Sequence, residues 1–312
     1  TMARVKLRVI LVVLSFLSFL SVSVAGYVYF RSLQDSAHKE AEKDSALQAE
    51  RIRNGVSSFL TENLKTARAL AGLVEMRAVL SDPRGSSLAR GNAVLDHFRE
   101  ALAADVCYLM DREGTTVASS NRNAPDSFVG NNFAFRPYWK EAIRGIPSTY
   151  MALGVTSNVR GVYFSHPVYA DPAAPPVGVA VIKVSTESLE PEFRQGGEGI
   201  VLLVDPKGIV FAANRKEWLY RSLQGLTQED VEEVARSQQF GPGPWEWSGL
   251  TILGDGTARD AGGTAYRFYR LDVSAYPGWS VVYLNDLQAI SRRISAPLFR
   301  ATGPIILALC FL

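Results

Sequence analysis

The residue in this sequence with the most chemistry to explain is a single cation inside an apolar run. Residues 177–184, VGVAVIKV, are apolar and largely β-branched apart from Lys183, with prolines before them and Ser and Thr after. That is the pattern of a strand covered on both faces. An ammonium buried there without a partner costs several kcal/mol or gives up its proton. Lys183 therefore reaches water along its stem, or pairs internally with an acid such as Glu187, or meets an anion that comes to it.

Catalysis has far less to work with. His38, His97 and His166 lie too far apart for metal-ligand spacing, and neither a His-Glu-x-x-His nor a paired Cys-x-x-Cys occurs. There is no Gly-x-Ser-x-Gly elbow and no phosphate-binding glycine loop. The two cysteines, Cys107 and Cys310, sit in apolar runs and offer no disulfide framework. We expect no metal, no cofactor and no enzyme activity within this chain, so a membrane-anchored hydrolase is the weakest of the readings open here. A net charge of +2 on balanced acids and bases excludes a strongly basic nucleic-acid surface. "GPGPWEWSGL" reads as a turn into an edge strand, not as a sugar platform.

The elements that must position Lys183 begin at a membrane. Residues 9–30 form an uncharged run of 22 residues after Arg4, Lys6 and Arg8, long enough to span a bilayer. The basic flank predicts a cytoplasmic N-terminus and an external location for residues 31–296. A cleaved signal peptide ending near Ala25 is the alternative. At the other end, "GPIILALCFL" reads as the beginning of a second membrane helix.

Between these ends the apolar residues Ile52, Val56, Phe59, Leu60, Leu64, Ala67, Leu70, Ala71 and Val74 recur at three and four, one face of a long helix over 31–81. "SDPRGSS" ends it. An internal repeat follows: "VCYLMDREGTTVASSNR" at 106–122 matches "VLLVDPKGIVFAANR" at 201–215, with a one-residue slip near the end. Each copy is a strand, an Asp-x-x-Gly turn and a second strand. After the first copy we expect a helix over 136–144 and strands over 148–155, 159–169 and 177–184; after the second, an acidic helix within 227–239 and strands over 264–272 and 279–284. Residues 286–296 read as a helix returning to the membrane.

The expected fold is α+β: a long N-terminal helix and two tandem modules, each an antiparallel sheet with flanking helices. The boundaries read as 1–30 for the first membrane helix, 31–91 for the stalk helix and turn, 92–190 for the distal module, 191–285 for the proximal module and 286–312 for the exit helix.

Taken together, the long helix, the repeated module, "FAFRPYWKEAIRG", "YMALGVTSNVRGVYFSHPV", "GVAVIKVSTESLE", "EWLYRSL" and "PGWSVVYL" resemble the double Cache, or tandem PAS-like, sensor regions. Within that group the chain is most similar to the periplasmic part of C4-dicarboxylate sensor histidine kinases. The resemblance implies a ligand pocket in the distal module. Arg136 would grip a carboxylate, helped by the free N–H groups of the helix it opens, and Lys183 would supply a second cation. Thr156 and Ser157 would donate hydrogen bonds, with Tyr138, Tyr150, Tyr163 and Phe133 in the pocket wall. Phe133 stands where the family pattern has a tyrosine, and Val155 where it has a second threonine, so each removes a hydroxyl.

Each of these residues also has an ordinary structural reading. Arg136 could hold a backbone carbonyl, Thr156 and Ser157 could be turn residues, and the tyrosines could be core. The resemblance further implies a small organic carboxylate as ligand, a homodimer, a bacterial inner-membrane location, and a cytoplasmic kinase region with its response regulator. A double Cache chemoreceptor or cyclase receptor for amino acids or other small molecules is the alternative.

Overall fold

The computed structural model describes residues 2–83 and 85–294. Two units are distinguished: residues 48–284, and the described residues on either side of them. The expectation that 303–312 begins a membrane helix lies outside the described residues.

In the flanking unit, helix α1 (Met2–Ala71) starts with the uncharged stretch, which is long and apolar enough to cross a membrane. Its large apolar side chains between Val9 and Tyr29 point outward. Residues 287–294 are helical, as the sequence indicated. Asn285 enters that helix with its Nδ2 donating to Ser45 Oγ of α1 at 2.9 Å.

The larger unit is built on the second half of α1. Ile52, Val56, Leu60, Ala67 and Leu70 are buried along one stripe, so the predicted periodicity is the packing face. The helix stops at Ala71, ten residues earlier than expected, because the chain turns through Gly72 and an extended Leu73 before α2 (Val74–Ser81). That break turns Val74, the last residue of the predicted stripe, out to solvent at 62% exposure. Helix α3 (Ser87–Ala101) follows the turn and was not anticipated. Arg122 fastens it through two parallel bonds to Asp96, at 2.8 and 2.7 Å.

The first sheet comprises β1 (Val106–Met110), β2 (Thr116–Ser119), β3 (Ser148–Leu153), β4 (Arg160–Val168) and β5 (Gly178–Ser185), in the order β2-β1-β5-β4-β3 and antiparallel throughout. Helix α4 (Pro137–Ala142) lies between β2 and β3 in the chain, and α5 (Glu190–Arg194) follows β5. The second sheet comprises β6 (Ile200–Val204), β7 (Val210–Ala213), β8 (Thr251–Ile252), β9 (Thr257–Arg259), β10 (Ala265–Asp272) and β11 (Ser280–Asp286), in the order β7-β6-β11-β10-β9-β8. Helix α6 (Gln228–Ser237) falls between β7 and β8 and opens on a capping box formed by Thr227 and Asp230.

The internal repeat is a structural one. Asp111 Oδ1 accepts from Glu113 N and Thr115 N, and Asp205 Oδ1 accepts from Lys207 N and Ile209 N, while Gly114 and Gly208 take positive φ in the two turns. The slip in the sequence match disappears in three dimensions. Ser120 N donates to Cys107 O and Asn214 N to Val201 O, and the same two side chains accept back from Cys107 N and Val201 N. Ser120, not Asn121, is therefore the counterpart of Asn214.

Alternation along β1, β4 and β5 gives the first sheet two apolar faces. Cys107, Leu109, Val162, Phe164, Ala180 and Ile182 pack with the α1 stripe, whereas Val106, Tyr108, Tyr163, Val179 and Val181 belong to a separate cluster under α4 and the 128–133 loop. The strand around Lys183 is indeed covered on both sides.

Candidate functional site

Register decides what surrounds Lys183. Across the sheet, Val106 pairs with Lys183, Lys183 with Tyr163 and Tyr163 with Tyr150, so these four side chains share one row on the face away from α1. Helix α4 closes over that row. Ser165 Oγ, two residues along β4 from Tyr163 and so on the same face, donates to Tyr138 O at 2.9 Å and anchors the helix.

A ring stack then forms the wall. Tyr138 lies parallel to Tyr163 with centroids 5.2 Å apart, and Tyr108 Oη donates to Tyr138 Oη at 2.8 Å. Burial pushes the phenols of Tyr108, Tyr138, Tyr150 and Tyr163 above their ordinary value, so they stay neutral donors and acceptors at physiological pH. The Tyr150 hydroxyl is buried without a hydrogen-bond partner among the described residues.

Arg136 is buried and lies at the edge of this wall. It is the N-cap of α4, extended in backbone, and its guanidinium donates through Nη2 to Leu153 O at 3.0 Å and through Nη1 to Gln238 O at 3.3 Å. The alternative reading of a carbonyl-bonded arginine thus describes its contacts. The expected help from free helix N–H groups does not materialise in full, because the first helical residue is Pro137, which has none.

Lys183 is buried to 1% exposure. Its Nζ donates to Ser157 Oγ at 2.9 Å, lies 3.5 Å from Asp105 Oδ2, and sits 6.0 Å from the Tyr163 ring centroid. The acid beside it is Asp105, not Glu187 as the strand sequence suggested. Desolvation lowers the Lys183 pKa, opposed by Asp105, and desolvation raises that of Asp105, opposed by Lys183.

The cavity against this wall is lined by Tyr108, Phe128, Phe133, Arg136, Tyr138, Tyr163 and the segment Gly154 to Thr156. It measures ≈ 10 Å³, the room of about one water. A four-carbon dianion needs more room than that, and the 154–159 segment supplies the exposed part of the lining, Val155 and Thr156. That segment is a tight turn, with Asn158 at φ +52°, Asn158 N donating to Gly154 O and Gly154 N to Val159 O. A Cβ at Gly154 would come 2.5 Å from Ser157 Oγ and 3.0 Å from Tyr163 Oη, so the Ser157 side chain that bonds Lys183 would have to shift.

The structure therefore brings Arg136, Tyr138, Tyr163, Phe133 and Thr156 to one cavity, with Tyr150 in the same buried cluster and Ser157 and Lys183 bonded to each other at its side. Thr156 is the exposed member. Sequence reasoning missed Tyr108, Phe128 and Asp105. Tyr108 was legible from strand alternation, two positions after Val106; Asp105 precedes the strand, and its approach to Lys183 depends on sheet register. Among the described residues, no group of three His, Cys, Asp or Glu could hold a metal ion.

Comparison with known proteins places this geometry in context. A family model described as a Cache domain, of the double Cache type, matches residues 31–294. The C4-dicarboxylate transport sensor protein DctB of Pseudomonas aeruginosa is 34% identical over 194 residues, covering 60% of this chain and 31% of that protein. The chain thus spans about a third of the length of that curated relative. Among solved structures, the sensor domain of the Vibrio cholerae histidine kinase DctB superposes with a TM-score of 0.73 at 26% identity, covering 80% of this chain and 98% of that one. The ligand-binding domain of the Campylobacter jejuni chemoreceptor Tlp3, in complex with 4-methylisoleucine, shares the fold with a TM-score of 0.57 at 16% identity, covering 83% and 94%.

Proposed function

The chain belongs to the Cache domain family, and from that premise we propose that it is the extracytoplasmic sensor region of a transmembrane histidine kinase that binds a small organic carboxylate. The observation that carries this reading is the pair of buried cations, Arg136 at the cavity and Lys183 beside it, against five aromatic rings and the 154–156 turn. Buried cations on a ring-lined cavity favour an anionic ligand, and two of them suit a C4-dicarboxylate. The chain's similarity to C4-dicarboxylate transport sensor proteins and to a histidine kinase sensor domain supports the same reading.

In this reading residues 92–190 form the ligand-binding module and 191–285 pass the change onward. Residues 9–30 cross the bacterial inner membrane, with 31–296 in the periplasm. The chain works as a homodimer, and its output is a cytoplasmic kinase region acting on a response regulator. Signalling is a two-state equilibrium moved only by the ligand's differential affinity for the two states.

The test is calorimetric titration of the full chain in detergent with succinate, malate, fumarate and a set of amino acids. Binding of a dicarboxylate that is lost in both Arg136→Ala and Lys183→Ala supports the reading. Binding of amino acids alone would move the protein to the chemoreceptor-like ligand class. Failure to bind any of these would point to a partner protein as the input.

A further inference from the structure

This inference rests on the reading of the Arg136 and Lys183 cavity as a carboxylate site, and concerns an acid that the reading does not use. The Lys183 ammonium has three donors. Ser157 Oγ takes one at 2.9 Å. Asp105 Oδ2 stands at 3.5 Å, outside the ~2.7–2.9 Å of a charge-assisted hydrogen bond. Lys183 thus meets its internal counter-ion at a loose distance.

The two partners are unequally placed. The Lys183 side chain is 2% exposed and that of Asp105 28%. The Asp105 backbone is fixed at the entrance to β1, its N–H donating to Lys183 O at 2.9 Å, while its side chain already reaches solvent. Lys183 has no such access. Its stem runs over Gly161, where a Cβ would come 2.7 Å from Cε, and its head is tied to the turn that lines the cavity. One partner is pinned beside the cavity while the other can leave.

We propose that Asp105 is a specificity-determining residue that competes with the ligand's carboxylate for Lys183. The ligand carboxylate takes the ammonium at hydrogen-bond distance and Asp105 turns outward to solvent. Exchange of one carboxylate for another keeps the buried ammonium paired. A neutral amide in the same place cannot displace Asp105, so the site rejects a monoamide of the same shape.

The experiment is calorimetric titration of the full chain in detergent with succinate and with its monoamide, succinamate, for the wild type, Asp105→Asn and Asp105→Glu. Melting temperatures without ligand check that both variants fold. Asp105→Asn removes the competing charge and is expected to bind succinate about tenfold more tightly, with a preference over succinamate at least as large as in the wild type, because the ammonium left by Asp105 pairs with a carboxylate and not with an amide. Asp105→Glu, with a longer stem that reaches Nζ more closely, is expected to bind succinate about tenfold more weakly. Weaker or unchanged succinate binding in Asp105→Asn overturns the inference, and if Arg136→Ala and Lys183→Ala still abolish binding, the carboxylate site survives it. Binding that persists in Lys183→Ala, or no binding by the wild type, removes both. An amino acid bound by the wild type and lost in Asp105→Asn would assign Asp105 to the ligand's ammonium and overturn the competitor role.

Discussion

Arg136 and Gln238 are joined by a hydrogen bond of 3.3 Å, from a guanidinium on the cavity of the first sheet to the carbonyl that ends α6. Gln238 is the left-handed C-cap of that helix, at φ +52°. The next residue extends the link: Gln239 O accepts from Leu153 N at 2.8 Å, and Gln239 Nε2 donates to Met151 O at 2.7 Å. Helix α6 is in turn held to the β6–β7 hairpin by Lys207, whose Nζ lies 2.7 Å from Asp230 Oδ1. A ligand that draws the guanidinium toward its own carboxylate takes it from the element that leads to the second sheet.

This relationship predicts the behaviour of Arg136→Lys. Lysine keeps the charge and loses the planar fork, so it cannot hold Leu153 O and Gln238 O together. The Leu153 and Gln238–Phe240 amides should exchange about tenfold faster by hydrogen–deuterium mass spectrometry, the scale of one lost bond of ~1.4 kcal/mol, with core strands unchanged. Unaltered exchange in that segment would remove the guanidinium from the connection between the sheets.

A second prediction separates a structural lysine from a ligand-binding one. Lys183→Met replaces a buried, desolvated ammonium with an apolar chain of similar length and leaves Asp105 free to hydrate. Replacing a buried ion pair by apolar groups is neutral or stabilising by about 1–4 kcal/mol, and Asp105, whose side chain is 28% exposed, reaches water once unpaired, so the change falls at the neutral end of that range. Thermal melting should therefore hold or rise while binding of succinate is lost. A melting temperature that falls by several degrees would show Lys183 to be a support of the sheet.

Asp205 provides a pH signature that is independent of the ligand. It is 4% exposed, and burial pushes its carboxyl up to about 6 despite bonds from Lys207 N and Ile209 N that favour the charged form. The folded pKa lies above the unfolded one near ~3.9, so the folded state holds more protons between these values and this group's contribution falls as pH rises from about 4 to about 6. Asp205→Asn lacks that slope and can keep the Oδ1 acceptor. Its melting temperature relative to the wild type should improve by a few degrees between pH 4 and pH 7, on the order of 2 kcal/mol. A constant difference across that range would contradict the raised carboxyl.

Most of the scaffold was legible in the sequence because its signals are local. The α1 stripe, the two Asp-x-x-Gly turns and the strand that carries Lys183 each follow from spacing within a dozen residues. The break at Gly72 and helix α3 were harder, since the apolar period runs on to Val74 without interruption and α3 buries only Gly91 and Leu95 fully. At the site, the cations and tyrosines were visible as residue types. What the sequence could not contain was pairing: Asp105 and Ser157 reach Lys183, and Gln238 reaches Arg136, across separations that sheet register and module packing set.

The two departures from the family pattern yield the last prediction, because they sit in different surroundings. Val155 lines the cavity at 49% exposure, so a threonine hydroxyl there keeps its water until a ligand arrives. Val155→Thr should leave stability nearly unchanged and tighten succinate binding by about twofold to twelvefold, the range of one net hydrogen bond of ~0.5–1.5 kcal/mol. Phe133 is 6% exposed, with Phe128 and Tyr108 rings at 5.6 and 6.4 Å, so a hydroxyl at its edge enters an aromatic cluster. Unless that hydroxyl finds an acceptor, it costs about 1–3 kcal/mol. Phe133→Tyr should therefore melt lower than the wild type without ligand and recover part of the loss in saturating succinate, whose carboxylate supplies the acceptor. Calorimetry on Val155→Thr and melting curves of Phe133→Tyr with and without succinate check the pair. A Phe133→Tyr protein whose deficit is the same with and without succinate would place position 133 outside the ligand's reach.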